Sequence, residues 1–310
     1  MKSIPIIVNP TAGGGRLLRT VADLDAAAGR CGVELDWRHT KHRGHGEELA
    51  RQAAKEGKPL VFAYGGDGTY NEVARGLLGS DTALGILPGG TTSVLAYEFG
   101  IPRPATLAVE ALIIGRDRCM RVGRTDRGEI FLIMLSSGPD VVVLESLGAG
   151  LKKVGRSGIA LQAFREFARF RSMPSFEVIA RGRTLPAGWA IIGTSRCYAG
   201  PYHATPGANP FAPTFEVVVQ RSVGRRHAVP FALGMPFGRH VRRRDVWRAT
   251  VDEVEFRAVG DRPVRYQLDG DLAGELPVKA TIDPESLLIR LPGAALDPVL
   301  TRTTAPAPAG

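Results

Sequence analysis

One aspartate stands among glycines in the segment Gly65-Gly66-Asp67-Gly68-Thr69, directly after the apolar run LVFAY. Glycines allow backbone N–H groups to approach a phosphate closely, and a helix that follows offers its positive end to the same anion. We expect that helix to begin near Tyr70 and Asn71. A carboxylate repels bare phosphate, so Asp67 is useful there only beside a bound metal or as the acceptor of a substrate hydroxyl proton. The segment therefore predicts phosphoryl transfer.

Two further glycine-rich segments follow short apolar runs, at residues 9–15 and 88–93. The carboxyl ends of parallel strands meet at one edge of a sheet, so we expect the three loops to converge there. Neither of the common nucleotide-binding motifs is present: no G-x-x-x-x-G-K-[ST] loop occurs, and Asn71 stands where the dinucleotide motif needs glycine. The alternative interpretation is a plain strand-to-helix turn with Asp67 as a cap, which five consecutive turn-type residues disfavour.

The chain divides into two regions that differ in their pattern of apolar segments. Short apolar runs alternate with helix-like segments over residues 1–120, which predicts a parallel α/β domain. Extended segments such as EIFLIML, WAIIGTS and FEVVVQ dominate residues 121–283, which predicts a β-rich antiparallel domain. We expect one helix at 157–171, no long helix at 228–237 because of Pro230 and Pro236, and a disordered tail at 301–310.

Composition restricts the class of protein. The 310 residues carry a net charge of +9, which favours a polyanionic partner or surface. No apolar run reaches the roughly 18 residues of a membrane-spanning helix, so we expect a soluble, intracellular protein. Three widely separated cysteines, with no C-x-x-C pair, indicate neither a disulfide framework nor a thiolate zinc site.

Five ordered motifs resemble those of the diacylglycerol kinase catalytic domain family, which includes bacterial lipid kinases and the sphingosine and ceramide kinases. They are VNPTAGGG, Thr40 with Gly44-His45, GGDGTYNEVARGL, LGILPGGTTSVLA, and QLDGDLAGELP followed by IDPESLLIRLP. NAD kinases share GGDGT, but Asn71-Glu72 and the late acidic motif favour the lipid branch. The resemblance runs from Ile6 to about Pro292.

The resemblance implies a fold and a place for each substrate. It implies a three-layer α/β N-terminal domain with a parallel sheet, similar to NAD kinase and phosphofructokinase, that holds ATP. A β-rich antiparallel sandwich would form the C-terminal domain, with the lipid entering the cleft between the two domains. Residues 284–300 would return to the first domain.

The resemblance also implies roles for individual residues. Asp67 would hold Mg²⁺ near the γ-phosphate, and the motif Asp269-Gly270-Asp271 would supply a second acidic cluster, with Asp271 as general base. The family usually has Glu at the position of Asp271, and Asp is shorter by roughly 1 Å. Whether Asp67 or Asp271 takes the proton stays open, as does a plain hairpin turn at 269–271. The implied ATP-side residues are Asn9, Thr11, Gly13, Thr40, Gly65, Gly66, Asp67, Gly68, Thr69, Asn71, Glu72, Gly90 and Thr91.

Two further positions depart from the family. Many bacterial members carry Asp-Asp-Gly for a structural magnesium where this chain has Phe211-Ala212-Pro213, whose side chains cannot bind a hard cation. We therefore expect no structural Mg²⁺ site at 211–217. Ser93 replaces a common Asn and is expected to weaken nucleotide or loop contacts.

The leading hypothesis is an ATP- and Mg²⁺-dependent kinase that phosphorylates the hydroxyl of a membrane lipid, either diacylglycerol or a sphingoid base or ceramide. A kinase of a soluble alcohol or of NAD, and a lipid- or nucleotide-binding regulator without turnover, are the alternatives. The basic tract 239–244 is compatible with a solvated surface, an anionic membrane or, least, nucleic acid. We expect a cytoplasmic protein peripheral to the inner face of the membrane, with no nucleic acid partner and with homodimerisation left open.

Overall fold

The computed structural model describes residues 2–15, 17–90, 92–147 and 175–293. The chain forms two compact units, one of Met1–Cys119 together with the chain from Leu287 onward, and one of Met120–Ser286. The helix expected at 157–171, the tail at 301–310 and Thr91 lie outside the described residues, as do residues 294–300 of the expected returning segment.

The first unit is a parallel sheet with helices. Its strands pair side by side in the order β2-β1-β3-β4, each neighbour parallel. Every residue of β3 and of β4 is buried, as expected of central parallel strands whose two faces are both covered. The expected parallel α/β domain is confirmed. The elements are β1 (Lys2–Val8), α1 (Val21–Arg30), β2 (Val33–His39), α2 (His45–Lys55), β3 (Leu60–Gly65), α3 (Asp67–Leu77), β4 (Ala83–Pro88), α4 (Val94–Glu98) and α5 (Ala105–Ile113).

The second unit is built from antiparallel strands. The elements are β5 (Arg116–Thr125), β6 (Ile130–Phe131), β7 (Met134–Ser137), α6 (Pro139–Leu147), β8 (Phe176–Ala180), β9 (Arg183–Ala187), β10 (Trp189–Gly193), β11 (Cys197–Tyr198), β12 (Tyr202–His203), β13 (Phe215–Gln220), α7 (Arg225–Gly234), β14 (Val246–Val251), β15 (Glu253–Ala258), β16 (Arg265–Leu268), β17 (Asp271–Glu275) and β18 (Val278–Leu291). One sheet has the order β14-β13-β10-β7-β16-β17, and a second antiparallel set runs β18-β15-β8-β9. Aromatic side chains from both sets meet in one core, with the rings of Phe131 and Phe215 5.7 Å apart and those of Phe176 and Phe256 also 5.7 Å apart.

The strand β18 serves both units along its length. Its first half pairs antiparallel with β15, from Val278 to Thr281. Its last residues belong to the first unit, where Ile289 lies beside Leu84 of β4 in a parallel pairing.

One local expectation, the start of α3, was wrong. The helix α3 begins at Asp67, not near Tyr70, because Gly66 takes an extended conformation and acts as the N-cap. Helix α7 contains Pro230 at an internal position but has 10 residues and ends at Gly234, before Pro236, so no long helix spans 228–237, as expected. Proline removes one N–H from the helix, and burial of Ala228 and Phe231 on the same helix offsets that loss.

The segment EIFLIML is two short strands, not one. The backbone N–H groups of Leu132, Ile133 and Met134 all donate to the carboxylate of Asp269. They are therefore unavailable to a strand ladder at that point, and the extended segment is interrupted between β6 and β7.

Helices α2 and α3 pack at a distance that only glycine permits at position 76. A methyl group on Gly76 would lie 2.7 Å from Cβ of Ala50 and 2.9 Å from the backbone nitrogen of Arg51. Gly76→Ala should therefore lower the free energy of unfolding by about 1–3 kcal/mol through overpacking. Gly29 is also helical but has open space around it, so Gly29→Ala is the control and should stabilise the protein by about 0.5–1 kcal/mol. Thermal unfolding of the two variants measures both effects, and equal melting temperatures would contradict this account of the packing.

Candidate active site

The loops at the carboxyl ends of β1, β2, β3 and β4 meet at one edge of the first unit. The N–H of Asn9 donates to the carbonyl of Tyr64 at 3.3 Å, and the N–H of Thr40 donates to the carbonyl of Val8 at 2.9 Å. The N–H of Gly89 donates to the carbonyl of Gly65 at 2.8 Å. The structure therefore brings the three glycine loops together at the same edge as Thr40, as the sequence predicts.

The first loop is shaped by Asn9. Its side-chain oxygen accepts hydrogen bonds from the backbone N–H of Thr11 at 3.0 Å and from the Thr11 hydroxyl at 2.8 Å. A short 3-10 turn, Ala12–Gly15, follows and contains Gly13. The Asn9 side chain thus orders a tight turn directly at the end of β1.

The glycines of this edge divide into two groups. Gly65 and Gly90 are required by packing, because a methyl group on Gly65 would lie 2.7 Å from Cβ of Thr69, and one on Gly90 would lie 2.6 Å from Cα of Gly66. Gly68 is different: it is exposed, lies in the first turn of α3 and has nothing within 4 Å of where a methyl group would point. The fold therefore leaves room for a side chain at position 68 and does not itself require glycine there.

Asp67 lies where two helices begin. It is in the first turn of α3, and its carboxylate accepts hydrogen bonds from the Thr92 hydroxyl at 3.2 Å and from the N–H of Leu95 in α4 at 3.4 Å. Burial raises the pKa of the Asp67 carboxyl, while hydrogen bonds from Val94, Leu95 and Thr92 act in the opposite direction. Proximity to two helix N-termini favours the negative charge.

Tyr70 holds this arrangement together, and the sequence did not single it out. Its fully buried hydroxyl lies 2.7 Å from the carbonyl of Gly65, 3.0 Å from that of Leu87 and 3.3 Å from the hydroxyl of Ser93. One side chain therefore ties the end of β3 to the end of β4 and to the N-cap of α4. The apolar pattern of an amphipathic helix predicts Tyr70 only as a core residue. It cannot predict the partners of the Tyr70 hydroxyl, because they are backbone carbonyls.

Ser93 has a backbone conformation that explains why Asn is common there. Its φ is 46°, in the left-handed region, where Asn is better tolerated than Ser. Its departure from the family thus concerns the backbone of the loop before α4.

Glu72, predicted on the nucleotide side, has a clear structural task. Its two carboxylate oxygens accept the N–H groups of Gly44 at 3.0 Å and Gly46 at 3.1 Å, at the start of α2. Gly44 is in the left-handed conformation with φ 87°, and Gly46 leaves room for Glu72 itself. Glu72 therefore caps α2 from the neighbouring helix α3, where Asn71 is also located.

The late acidic motif belongs to the second unit. The Asp269 carboxylate accepts three backbone N–H groups, from Leu132 at 2.7 Å, Ile133 at 2.9 Å and Met134 at 3.0 Å. Asp269 itself has φ 51°, and Gly270 has φ 90°, so the chain turns sharply between β16 and β17. This geometry gives Asp269 a positioning task, and its predicted catalytic role stays a prediction.

Asp271 is the exposed acid of the motif. It is the first residue of β17, directly after the turn that Asp269 fixes to the segment between β6 and β7. Solvent access at a carboxylate is compatible with a proton acceptor that must reach a substrate hydroxyl.

A buried polar chain that the sequence did not reveal leads to the same turn. The N–H of Gly270 donates to Oε1 of Gln267 at 2.7 Å, and Nε2 of Gln267 donates to the Ser136 hydroxyl at 2.5 Å. Ser136 in turn donates to Asp140, whose Oδ1 is buried without a hydrogen-bond partner. Gln267 and Ser136 face each other across β16 and β7, so this pairing is visible only once the strand register is known.

The oxygen donors near Asp67 fit a magnesium ion that binds together with a nucleotide. Among the described residues, no group of three or more His, Cys, Asp or Glu side chains could hold a metal by itself. Mg²⁺ bound with a nucleotide commonly uses one or two carboxylates and completes its shell with phosphate oxygens and waters. The Asp67 carboxylate, beside the Thr92 hydroxyl, can supply such a ligand.

The stretch 211–217 has a different donor set. The buried Glu216 carboxylate accepts the N–H of Gly207 at 2.5 Å and faces Arg248, whose Nε is 3.6 Å away. Phe211, Ala212 and Pro213 supply no side-chain oxygen. The absence of a structural magnesium there stays a prediction.

The ionisation of Asp140 should set a pH dependence of stability. Burial raises the pKa of Asp140 to about 6, from 3.8 in an exposed chain. The folded state then holds this proton more tightly, so the free energy of unfolding should fall as pH rises from about 4 to about 6, by about 3 kcal/mol. Asp140→Asn cannot ionise and should lose that part of the pH dependence. Denaturation of both proteins between about pH 4 and pH 7 tests this, with exposed Asp252→Asn as the control; parallel curves for wild type and Asp140→Asn would contradict it.

Two relatives are similar in sequence to this chain, one over less than half of its length and one over most of it. A diacylglycerol kinase of Bacillus subtilis is 35% identical over 141 residues, which are 44% of this chain and 46% of that protein. A diacylglycerol kinase of Mycobacterium tuberculosis is 24% identical over 302 residues, which are 93% of this chain and 95% of that protein. In the described part of the chain, no helix is long and apolar enough to cross a membrane.

A solved structure and two family models complete the comparison. The crystal structure of a diacylglycerol kinase from Bacillus anthracis has a TM-score of 0.70 at 17% identity over 95% of this chain and 98% of that one, which shows the shared fold. The model of the diacylglycerol kinase catalytic domain matches residues 3–125, and that of the YegS C-terminal NAD kinase beta sandwich-like domain matches residues 134–291. The predicted α/β domain followed by an antiparallel β sandwich is thereby confirmed, and the chain belongs to the diacylglycerol kinase family of lipid kinases.

Proposed function

We propose that this protein transfers the γ-phosphate of ATP to the hydroxyl of a membrane lipid, with diacylglycerol as the first candidate and a sphingoid base or ceramide as the second. The observation that carries the proposal is the placement of Asp67 in the first turn of α3, at the edge where the three glycine loops meet. The names of the relatives favour diacylglycerol, since the two most similar proteins described above are both diacylglycerol kinases.

The proposed nucleotide site is built mainly from backbone. The loops after β1, β3 and β4 meet beside the first turn of α3, and the N–H of Leu95 at the start of α4 donates to Asp67. Backbone N–H groups bind phosphate oxygens without sequence-specific side chains. We propose that Glu72 supports this site by capping α2 from its position in α3. The residues proposed to line the site are Asn9, Thr11, Gly13, Thr40, Gly65, Gly66, Gly68, Thr69, Asn71, Gly90 and Thr91.

The proposed reaction is a single displacement at the γ-phosphorus of ATP. The lipid hydroxyl oxygen attacks the γ-phosphorus, the bond from that phosphorus to the β,γ-bridging oxygen breaks, and ADP leaves with that electron pair. The hydroxyl proton passes to a carboxylate, for which we propose Asp271. Mg²⁺, when bound with ATP beside Asp67, supplies positive charge that neutralises the phosphates.

Asp269 and Asp140 are assigned positioning rather than proton transfer. Asp269 fixes the turn before Asp271 through three backbone hydrogen bonds, and the Ser136–Gln267 chain holds the N–H of Gly270. A carboxylate whose oxygens already accept three N–H groups is a poor proton acceptor, because protonation would break those bonds.

Gly68→Ala tests whether the open space in the first turn of α3 is for nucleotide. A methyl group there meets no protein atom, so folding should be unaffected or stabilised by about 0.5 kcal/mol. It would intrude on a bound phosphate, so we expect KM for ATP to rise by about 10-fold or more, equivalent to about 1.4 kcal/mol. Gly29→Ala, also a helical glycine in open space, should leave KM unchanged. An unchanged KM in Gly68→Ala would remove Gly68 from the site.

Transfer of γ-label from ATP to lipid tests the reaction itself. In detergent micelles containing diacylglycerol, Asp67→Asn and Asp271→Asn should each lower the rate by about 10²–10⁴-fold, because each removes a charge needed in the transition state. Asp271→Glu should retain activity, since it keeps the carboxylate and restores the family's usual length. Asp261→Asn, an exposed acid of the second unit, is the control.

Parallel assays with ceramide, sphingosine, glycerol and NAD identify the acceptor class. Labelling of NAD or glycerol in preference to lipid would overturn the lipid assignment. No labelled product with any acceptor, or Asp67→Asn as active as wild type, would defeat the kinase proposal.

A further inference from the structure

One segment of the second unit combines strong positive charge with exposed apolar side chains. Residues 221–244, which we call the arginine segment, contain seven arginines and no aspartate or glutamate. The segment includes α7 and two short 3-10 turns, Met235–Phe237 and His240–Arg242. Its charge is therefore not balanced within the segment.

The inward side of the arginine segment is firmly packed. The ring of Phe231 lies 5.1 Å from that of Trp189 and 5.2 Å from that of His240. The buried His240 also has Nε2 2.8 Å from the carbonyl of Ala204, and Met235 is buried. Phe231, Met235 and His240 therefore anchor the arginine segment to the core.

The outward side carries apolar and basic residues together. Leu233, in α7, is 68% exposed, and Phe237, in the 3-10 turn that follows, is 73% exposed. The guanidinium carbon of Arg239 lies 5.7 Å from the ring centroid of Phe237. Arg242 and Arg244 are exposed as well.

An anionic bilayer would accommodate both the exposed apolar side chains and the arginines of this outward side. A solvated surface explains the arginines but gives no role to Leu233 and Phe237, the two most exposed of three large exposed apolar side chains in the segment. Nucleic acid would attract the arginines, but single-strand binding relies on several aromatic side chains for stacking, and Phe237 is the one exposed aromatic residue among the described residues of the segment. At a membrane, apolar tips enter the acyl boundary while arginines meet the anionic head groups.

We propose that the arginine segment docks this protein on anionic membranes, with Leu233 and Phe237 entering the interface and Arg239, Arg242 and Arg244 contacting lipid phosphates. The purpose of this docking rests on the proposed function: a lipid kinase must collect its substrate from a bilayer. The docking itself needs no catalysis and is measured without ATP.

Sedimentation with vesicles tests the proposal directly. The full chain should bind vesicles of phosphatidylcholine mixed with phosphatidylglycerol and bind pure phosphatidylcholine vesicles at least about 10-fold more weakly. Each arginine near an anionic surface contributes about fivefold in affinity, so the triple variant Arg239→Gln, Arg242→Gln, Arg244→Gln should bind about 100-fold more weakly. The double variant Leu233→Ser, Phe237→Ser should lose binding that persists at high salt, since burial of apolar groups is not screened.

A matched triple variant separates docking from net charge. Arg181, Arg183 and Arg262 are exposed residues of the same unit outside the segment, and replacing all three by Gln removes the same charge. This control should bind anionic vesicles as wild type does. Equal loss in the two triple variants, absence of binding by wild type, or tighter binding of the segment to a DNA or RNA oligonucleotide than to the vesicles would each overturn the proposal.

The kinase assay distinguishes this proposal from the proposed function. The segment variants should phosphorylate diacylglycerol in detergent micelles at the wild-type rate and lose activity on anionic vesicles by about the factor seen in binding. Vesicle binding without any kinase activity would leave the docking surface standing and defeat only the catalytic proposal. Equal loss of activity in micelles and on vesicles would overturn the docking role of the segment.

Discussion

The close approach of Gly90 to Gly66 is the constraint on which the candidate nucleotide site depends. A side chain at position 90 would meet the backbone of Gly66, and the N–H of Gly89 reaches the carbonyl of Gly65 at 2.8 Å only because the two loops touch. The Tyr70 hydroxyl then ties both strand ends together from the buried side. Backbone N–H groups can converge on an anion there because the loops have almost no side chains to keep them apart.

The same physical device, backbone N–H groups gathered around a carboxylate, recurs in the second unit. Asp269 accepts the N–H groups of Leu132, Ile133 and Met134 and thereby interrupts the extended segment between β6 and β7. This bond network stiffens the turn in which Gly270 has a positive φ. The position of Asp271 is therefore set by residues more than 130 positions away in sequence.

Local sequence patterns were enough to predict the parallel α/β unit, the β-rich unit and the loop edge, because apolar runs and glycine clusters report strand burial and turns. They could not place the start of α3, since Gly66 acts as an N-cap through its backbone conformation and not through a side chain. They also could not place Pro230 inside the short helix α7, because its cost is offset by burial of Phe231, which only the tertiary structure shows. The capping of α2 by Glu72 and the Asp140 chain were equally invisible, since their partners are backbone groups or residues across a sheet.

Asp67, Asp140, Asp269 and Asp271 differ in the part that each carboxylate plays in the fold. Asp269 accepts three N–H groups, and Asp140 is buried with its pKa raised to about 6, so both are committed to the fold. Asp67 accepts long hydrogen bonds, at 3.2 Å from Thr92 and 3.4 Å from Leu95, besides one from Val94. Asp271 is exposed at the head of β17. A proton or cation at Asp269 or Asp140 would displace bonds that hold the chain in place, and for this reason we propose Asp67 and Asp271, not these two, for the reaction.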